Sequence, residues 1–324
     1  MSETPRPGQE RWVAPLEETP LRAVDSVDDD APPESQWKEA WKRMRVNPLF
    51  WVSSVLLFLL AIMLAVPGLF TSQDPTFCQL SDSLGPARSG HPFGFNQQGC
   101  DVWARTLYGA RASVLVGVVT TLIVALIGVV TGAVAGFYGR WLDAVISRIA
   151  DIFFSIPLLL AAIVTLSVLN NVFPDRGFWG GCMAVILALS LFAWPSITRQ
   201  MRAAVLTVKN LEFVDAAKAI GASPRANLVR HIVPNSLAPV IVTSTISLGI
   251  FIVTEATLSF LGLGLPNQVI SWGNDISDAQ VLVRAGDNLS VMFVPATALA
   301  LTVLAFILLG DAVKDALDPK ARKS

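Results

Sequence analysis

LEFVDAAKAIGASPRANLVRHIVPNSLAP, Leu211 to Pro239, sets Glu212, Asp215, Lys218, Arg225 and Arg230 between two long uncharged apolar runs. The stretch carries its own helix punctuation. Glu212 to Ile220 reads as a short helix, with Ala216, Ala217 and Ala219 as a small-residue face that a second protein surface could approach closely. Gly221 stands where a helix ends in the left-handed conformation, which glycine adopts at least cost. Ser223 then reads as an N-cap, and Pro224 occupies the first helical position, where its missing N–H is no loss. A second short helix is expected from Pro224 to Ile232, stopped by Pro234, with Asn235 or Ser236 capping the next long helix. The expected product is a compact hairpin, 211–234, held between two membrane spans. From spacing alone, an ordinary basic loop between spans fits as well.

The flanking composition decides the environment. The chain has 324 residues, 53% hydrophobic and only 15% charged, with a mean hydropathy of +0.56. Soluble domains carry about 25% charged residues. A net charge of −1 says nothing about partners, because the charges are segregated. Six uncharged stretches exceed the roughly 20 residues a helix needs to cross a bilayer. They are Leu49–Thr71, Ala112–Phe137, Ile152–Pro174, Gly177–Thr198, Ile232–Thr254 and Asn288–Gly310. None alternates as barrel strands do, so an all-α polytopic membrane protein is expected.

Positive-inside bias then orients the spans. Residues 1–36 are acidic and proline-rich and read as a disordered cytoplasmic tail. In 37–48, Trp37 and Trp41 beside Lys38, Lys42, Arg43 and Arg45 suit an amphipathic helix on the inner surface. The first transmembrane helix, 49–71, leads to an extracytoplasmic loop, 72–106. That loop holds Cys78 and Cys100, two of three cysteines; an even pair in one outer loop reads as a disulfide, with two free thiols as the alternative. The remaining transmembrane core, 107–310, returns to a cytoplasmic tail, 311–324. Both termini therefore lie inside a plasma membrane.

Several residues inside the spans admit two readings. Gly128, Gly132 and Gly136 form a small-residue stripe suited to a subunit interface or to packing within the chain. Pro157 in span three and Pro195 in span four suit kinked helices around a gate, or fold packing alone. Glu255 falls about 19 residues past Ser236, roughly 28 Å along a helix at 1.5 Å per residue, near the outer boundary. It is a gate candidate, or a structural carboxylate capped by a helix end or by Arg284.

Asp215-Ala216-Ala217, Gly221 and His231-Ile232-Val233-Pro234 resemble the EAA loop of permease subunits in binding-protein-dependent ABC importers, whose pattern is Glu-Ala-Ala, x3, Gly, x9, Ile-x-Leu-Pro. Here Asp215 replaces Glu, His231 stands at the Ile position and Val233 replaces Leu. The segments His91-Pro92-Phe93-Gly94, Tyr108-Gly109-Ala110-Arg111, Glu255 to Gly264, Ser271-Trp272-Gly273 and Asp311 to Pro319 are similar to those of the dipeptide/oligopeptide branch, C-type subunit. Cys100 stands where that branch usually has Arg. The resemblance covers roughly Phe50 to Pro319.

This resemblance implies a type I importer permease fold with six transmembrane helices. It implies a heterodimer with a second permease subunit, two ATPase subunits beneath, an extracytoplasmic substrate-binding protein and surrounding membrane lipid. Glu212, Asp215, Ala216, Ala217, Gly221, Ser223, Pro224, Arg225 and Pro234 become the coupling residues. ATP closing the ATPase pair moves the hairpin and flips the spans from inward-open to outward-open. A Pro at Gly221 or a charge at Ala217 is expected to uncouple hydrolysis from uptake. Peptides are the branch's usual cargo; nickel, haem and glutathione occur in relatives. A membrane-embedded assembly or sensor protein that moves no solute is the alternative class.

The chain has no Gly-Lys pair, so no P-loop holds ATP here. No catalytic or metal site is readable, and two distant histidines do not make one. ATP and Mg are expected on the ATPase subunits only, and no nucleic acid is expected as a partner.

Overall fold

The computed structural model describes residues 36–173, 177–280, 282 and 289–317. The tail before Gln36, Arg284 and the residues from Asp318 onward lie outside the described residues. Helices dominate, and no β-strand occurs among the described residues. In chain order the helices are α1 (Gln36–Met44), α2 (Pro48–Ala65), α3 (Val102–Tyr138), α4 (Arg140–Ser155), α5 (Leu158–Val172), α6 (Phe178–Val208), α7 (Glu212–Ala219), α8 (Pro224–Asn227), α9 (Val233–Phe260), α10 (Trp272–Asp278) and α11 (Ser290–Leu317). Short 3₁₀ turns occupy Pro67–Leu69 and Leu80–Asp82.

Five helices are long and apolar enough to cross a membrane, and the bent pair α4–α5 makes a sixth. Several helices overrun the apolar runs that announce them, whereas α2 ends at Ala65, short of Thr71. α3 starts at Val102 rather than Ala112 because the Asp101 side chain accepts from Ala104 N at 2.6 Å and caps it there. α6 continues beyond Thr198 through Arg199 and Arg202 to Val208. Apolar composition measures the lipid-facing length, while hydrogen bonding carries the helix past it.

Span three departs from expectation. It is not one helix over Ile152–Pro174. α4 and α5 meet at an 83° bend, and Pro157 sits in that break as the N-cap of α5, not within a continuous helix. The cause is local: Ile156 precedes a proline, is driven to an extended conformation (φ −90, ψ 123), and cannot continue the helix. Pro195, by contrast, lies buried within an unbroken α6. α4 is tied to α6 by Arg202, which donates from Nε and Nη2 to the two Asp143 oxygens at 2.5 and 2.7 Å, and by Arg199 to Asp151 at 2.7 Å.

α3 and α6 form the centre of the bundle. The Gly128, Gly132 and Gly136 stripe packs against α6 within the same chain. A Cβ at Gly128 would fall 2.5 Å from Ile197 Cβ, and one at Gly132 would fall 2.7 Å from Met201 Cβ. Intrachain packing, not a subunit interface, therefore accounts for these glycines. At the N-terminal end of α3, Cys78 and Cys100 are joined by a disulfide. His91 Nδ1 lies 2.8 Å from Asp101 Oδ2, so the same carboxylate caps α3 and holds the loop. We call this the disulfide end and the opposite one the hairpin end; a 37-residue α3 separates them by about 55 Å.

Candidate functional site

The hairpin forms as its punctuation dictates for the first arm and the turn. α7 spans Glu212–Ala219, with Glu212 and Asp215 in its first turn, where acidic groups complement the helix dipole. Gly221 N donates to Lys218 O and Ala222 N to Ala217 O, both at 3.0 Å, which closes the helix end. Gly221 has φ +93 with nothing within 4 Å of a notional Cβ; backbone conformation, not crowding, requires glycine there. Ser223 Oγ accepts from Ala226 N at 3.3 Å, and Pro224 opens α8.

The second arm differs from expectation. Pro234 does not stop a helix, and neither Asn235 nor Ser236 caps a new one. α8 passes through a π-helical turn, Leu228–Ile232, straight into α9. The wider turn, with Val233 N reaching Leu228 O, absorbs the donor that proline lacks. Asn235 Nδ2 donates to His231 O at 2.6 Å and Ser236 Oγ to Ile232 O at 2.8 Å, so both side chains serve helix carbonyls instead.

Burial divides the hairpin into two faces. Val214 and Ile232 are fully buried, and with Leu228 they join Ala133, Ile197, Met201, Val205 and Val208 in one apolar cluster. Asn227, also buried, donates from Nδ2 to Val214 O at 3.2 Å and ties the arms together. Ala217 belongs to this inner face, being only 6% exposed, so the small-residue surface is Ala216 and Ala219, not Ala217. The outer face is apolar at its tip: Ile220 is 87% and Phe213 41% exposed. Glu212, Ser223, Pro224, Arg225 and Pro234 are all exposed. Asp215 is paired with Lys218 at 2.8 Å on the same helix. The hairpin thus has a buried seat on α3 and α6 and an exposed outer face.

The remaining candidates do not join it. Glu255 sits in α9 at the disulfide end, 0% exposed. Its Oε1 accepts from Ser259 Oγ at 2.8 Å, and Ser259 Oγ in turn accepts from Leu265 N at 3.1 Å. These contacts tie the carboxylate to the turn after α9. Pro157, at the α4–α5 break, and Pro195, in α6, are likewise separate from the hairpin. The ion pairs between helices were not foreseen, among them Arg202–Asp143 and the buried Arg105–Asp275 that crosses from α3 to α10. The signal available was a charge inside an otherwise apolar helix, which demands a partner.

Comparison with known proteins agrees with this architecture. Residues 128–323 match the family described as binding-protein-dependent transport system inner membrane component. Residues 35–86 match the N-terminal TM domain of oligopeptide transport permease C. The oligopeptide transport system permease protein OppC of Bacillus subtilis is 36% identical over 89% of this chain and 91% of its own length. The dipeptide transport system permease protein DppC of the same organism is 36% identical over 97% and 94%. The glutathione transport system permease protein GsiD of Escherichia coli is 34% identical over 96% and 98%. Among solved structures, a chain of the MetNI methionine ABC transporter in an inward-facing conformation superimposes with a TM-score of 0.54 at 21% identity, over 66% of this chain and 96% of its own; that likeness concerns the fold. With the family matched across most of its length and the helices arranged as in an importer permease, the chain belongs to the binding-protein-dependent transport system inner membrane components.

Proposed function

We propose that the chain is one of two permease subunits in an ATP-driven peptide importer, lining half of the path and coupled to the ATPase subunits through hairpin 211–234. The observation that carries this reading is the two-faced hairpin: Val214, Leu228 and Ile232 seated in the α3–α6 core, with Phe213 and Ile220 left exposed. An element anchored in the bundle transmits displacement, and an exposed apolar tip supplies the grip.

On this reading a second permease subunit completes the path, two ATPase subunits carry ATP and Mg, and an extracytoplasmic binding protein delivers the cargo. The hairpin end then faces the cytoplasm, and both termini lie on that side. The chain catalyses nothing itself. Peptide cargo rests on kinship with the oligopeptide and dipeptide permeases. Kinship with a glutathione permease supports glutathione as the second cargo.

The test is uptake into proteoliposomes holding the assembled importer and its binding protein. ATP-dependent accumulation of labelled di- and tripeptides is expected. Accumulation of glutathione without peptide, or peptide entry that ignores ATP, overturns the peptide reading.

A further inference from the structure

An apolar groove of about 610 Å³ runs between α2, α3 and α11 and opens on the outside of the bundle. Leu59, Leu60 and Met63 form one wall, and Phe293, Val294 and Leu301 the other, with the buried Leu107 of α3 behind them. Leu59, Phe293 and Leu301 are each about half exposed. Two hydroxyls of the lining already donate to backbone, Thr106 to Val102 O and Ser290 to Phe93 O, both at 2.8 Å. An empty trough forfeits dispersion contacts along its walls, and water finds few partners in it.

Its depth is that of one leaflet. The mouth lies at the disulfide end, where Phe70, Phe93 and Trp103 meet. Trp103 Nε1 donates to Phe70 O at 3.1 Å, and the Phe93 and Trp103 rings lie 5.3 Å apart. Rings with one polar edge settle at headgroup level. From that belt the groove follows α11 from Ser290 to Thr302, about 18 Å at 1.5 Å per residue. Half of a bilayer's hydrocarbon core is roughly 15 Å. Both walls run on into exposed apolar surface of the same two spans, at Val55 and Phe58 on α2 and at Leu304 and Ile307 on α11. The groove is therefore a furrow in a surface that already faces hydrocarbon. Leu and Phe dominate its walls, whereas helices dock on one another in lipid through small residues. A furrow that begins at the aromatic belt and ends near mid-bilayer fits a hydrocarbon chain tethered at the interface.

We propose that this groove binds one acyl chain of a phospholipid from the leaflet at the disulfide end, and that the chain packs between α2 and α11 as part of the bundle.

The test is native mass spectrometry of the complete permease–ATPase assembly, taken from nanodiscs of palmitoyl-oleoyl phosphatidylethanolamine and delipidated stepwise in detergent. Wild type should keep one phospholipid more than Thr297→Trp or Ala298→Phe, each of which fills the groove with its own side chain. Photolabelling in the intact nanodisc locates the chain without any variant. A phosphatidylethanolamine with its diazirine at the chain terminus should mark α11 near Leu301, and one with its diazirine beside the ester should mark the mouth near Phe93. The two variants should lower the Leu301 adduct at least about fivefold, a shift of about 1 kcal/mol in occupancy, and leave labelling at Phe58 unchanged. Equal phospholipid counts in wild type and both variants overturn the site, as does a Leu301 adduct that neither variant lowers. Diazirines that label without regard to depth overturn it too. Retained detergent in place of phospholipid, or a Thr297→Cys that crosslinks to the second permease subunit, would give the groove to another occupant and refute the lipid assignment.

Discussion

Asn227 Nδ2 donates to the backbone carbonyl of Val214 across the hairpin at 3.2 Å, from a position that is 1% exposed. This contact joins α8 to α7 and makes the hairpin one body. Asn227→Ala should remove about 1 kcal/mol of local stability. Amide exchange in α7 should then quicken about fivefold, with global unfolding little changed. Unchanged exchange in α7 would show that the Val214 and Ile232 packing suffices without it.

Ile220 and Ala217 separate gripping from folding. Ile220→Glu changes an exposed tip, so assembly in the membrane should be normal while uptake coupled to ATP hydrolysis falls. Ala217→Glu instead forces a charge into the seat of the hairpin, at a cost of about 3 kcal/mol or more. That variant should lower thermal stability and membrane yield as well as uptake. Equal yields and equal uptake loss in both variants would erase the distinction between the two faces.

Gly221→Pro strikes the turn. A backbone at φ +93 that also donates its N–H to Lys218 O accommodates neither the fixed φ nor the missing donor of proline. Uptake should fall at least about tenfold with α3 and α6 intact by circular dichroism, because coupling needs the geometry of the tip. Uptake within twofold of wild type would mean the turn is not held rigidly during transport.

Gly132→Leu tests the α3–α6 contact. The added side chain meets Met201 Cβ and the Thr198 carbonyl, and overpacking of this kind costs about 1–3 kcal/mol. A lower thermal midpoint in detergent is expected, and an unchanged midpoint would move the tight interface elsewhere.

Arg105 and Asp275 bury an ion pair between α3 and α10. Arg105→Met alone should destabilise by about 3–5 kcal/mol through the stranded carboxylate, and the double variant Arg105→Met/Asp275→Leu should recover much of it. Thermal inactivation of the four forms measures this; additive losses would refute the pairing.

Much of the architecture was legible because lipid imposes simple rules. Long uncharged runs, caps at Ser223 and Pro224, and Gly221 as a left-handed stop all speak through local chemistry. What escaped depended on distance or on alternatives of nearly equal cost. Pro157 and Pro234 carry the same missing donor. One ends a helix, with Ile156 before it driven to an extended conformation; the other is carried through by the π turn Leu228–Ile232. Arg105 and Asp275 are 170 positions apart, so no local pattern pairs them. Ala217 faces inward because α7 docks along Val214, a choice made by the core of α3 and α6 rather than by the alanines.

The most direct measurement is site-specific crosslinking from the hairpin tip. Ile220, replaced by a photoreactive residue in the assembled importer, should crosslink to an ATPase subunit, and nucleotide should change the yield. A tip that captures only lipid or the binding protein, or that gives no ATPase adduct with or without ATP, would contradict coupling through this hairpin.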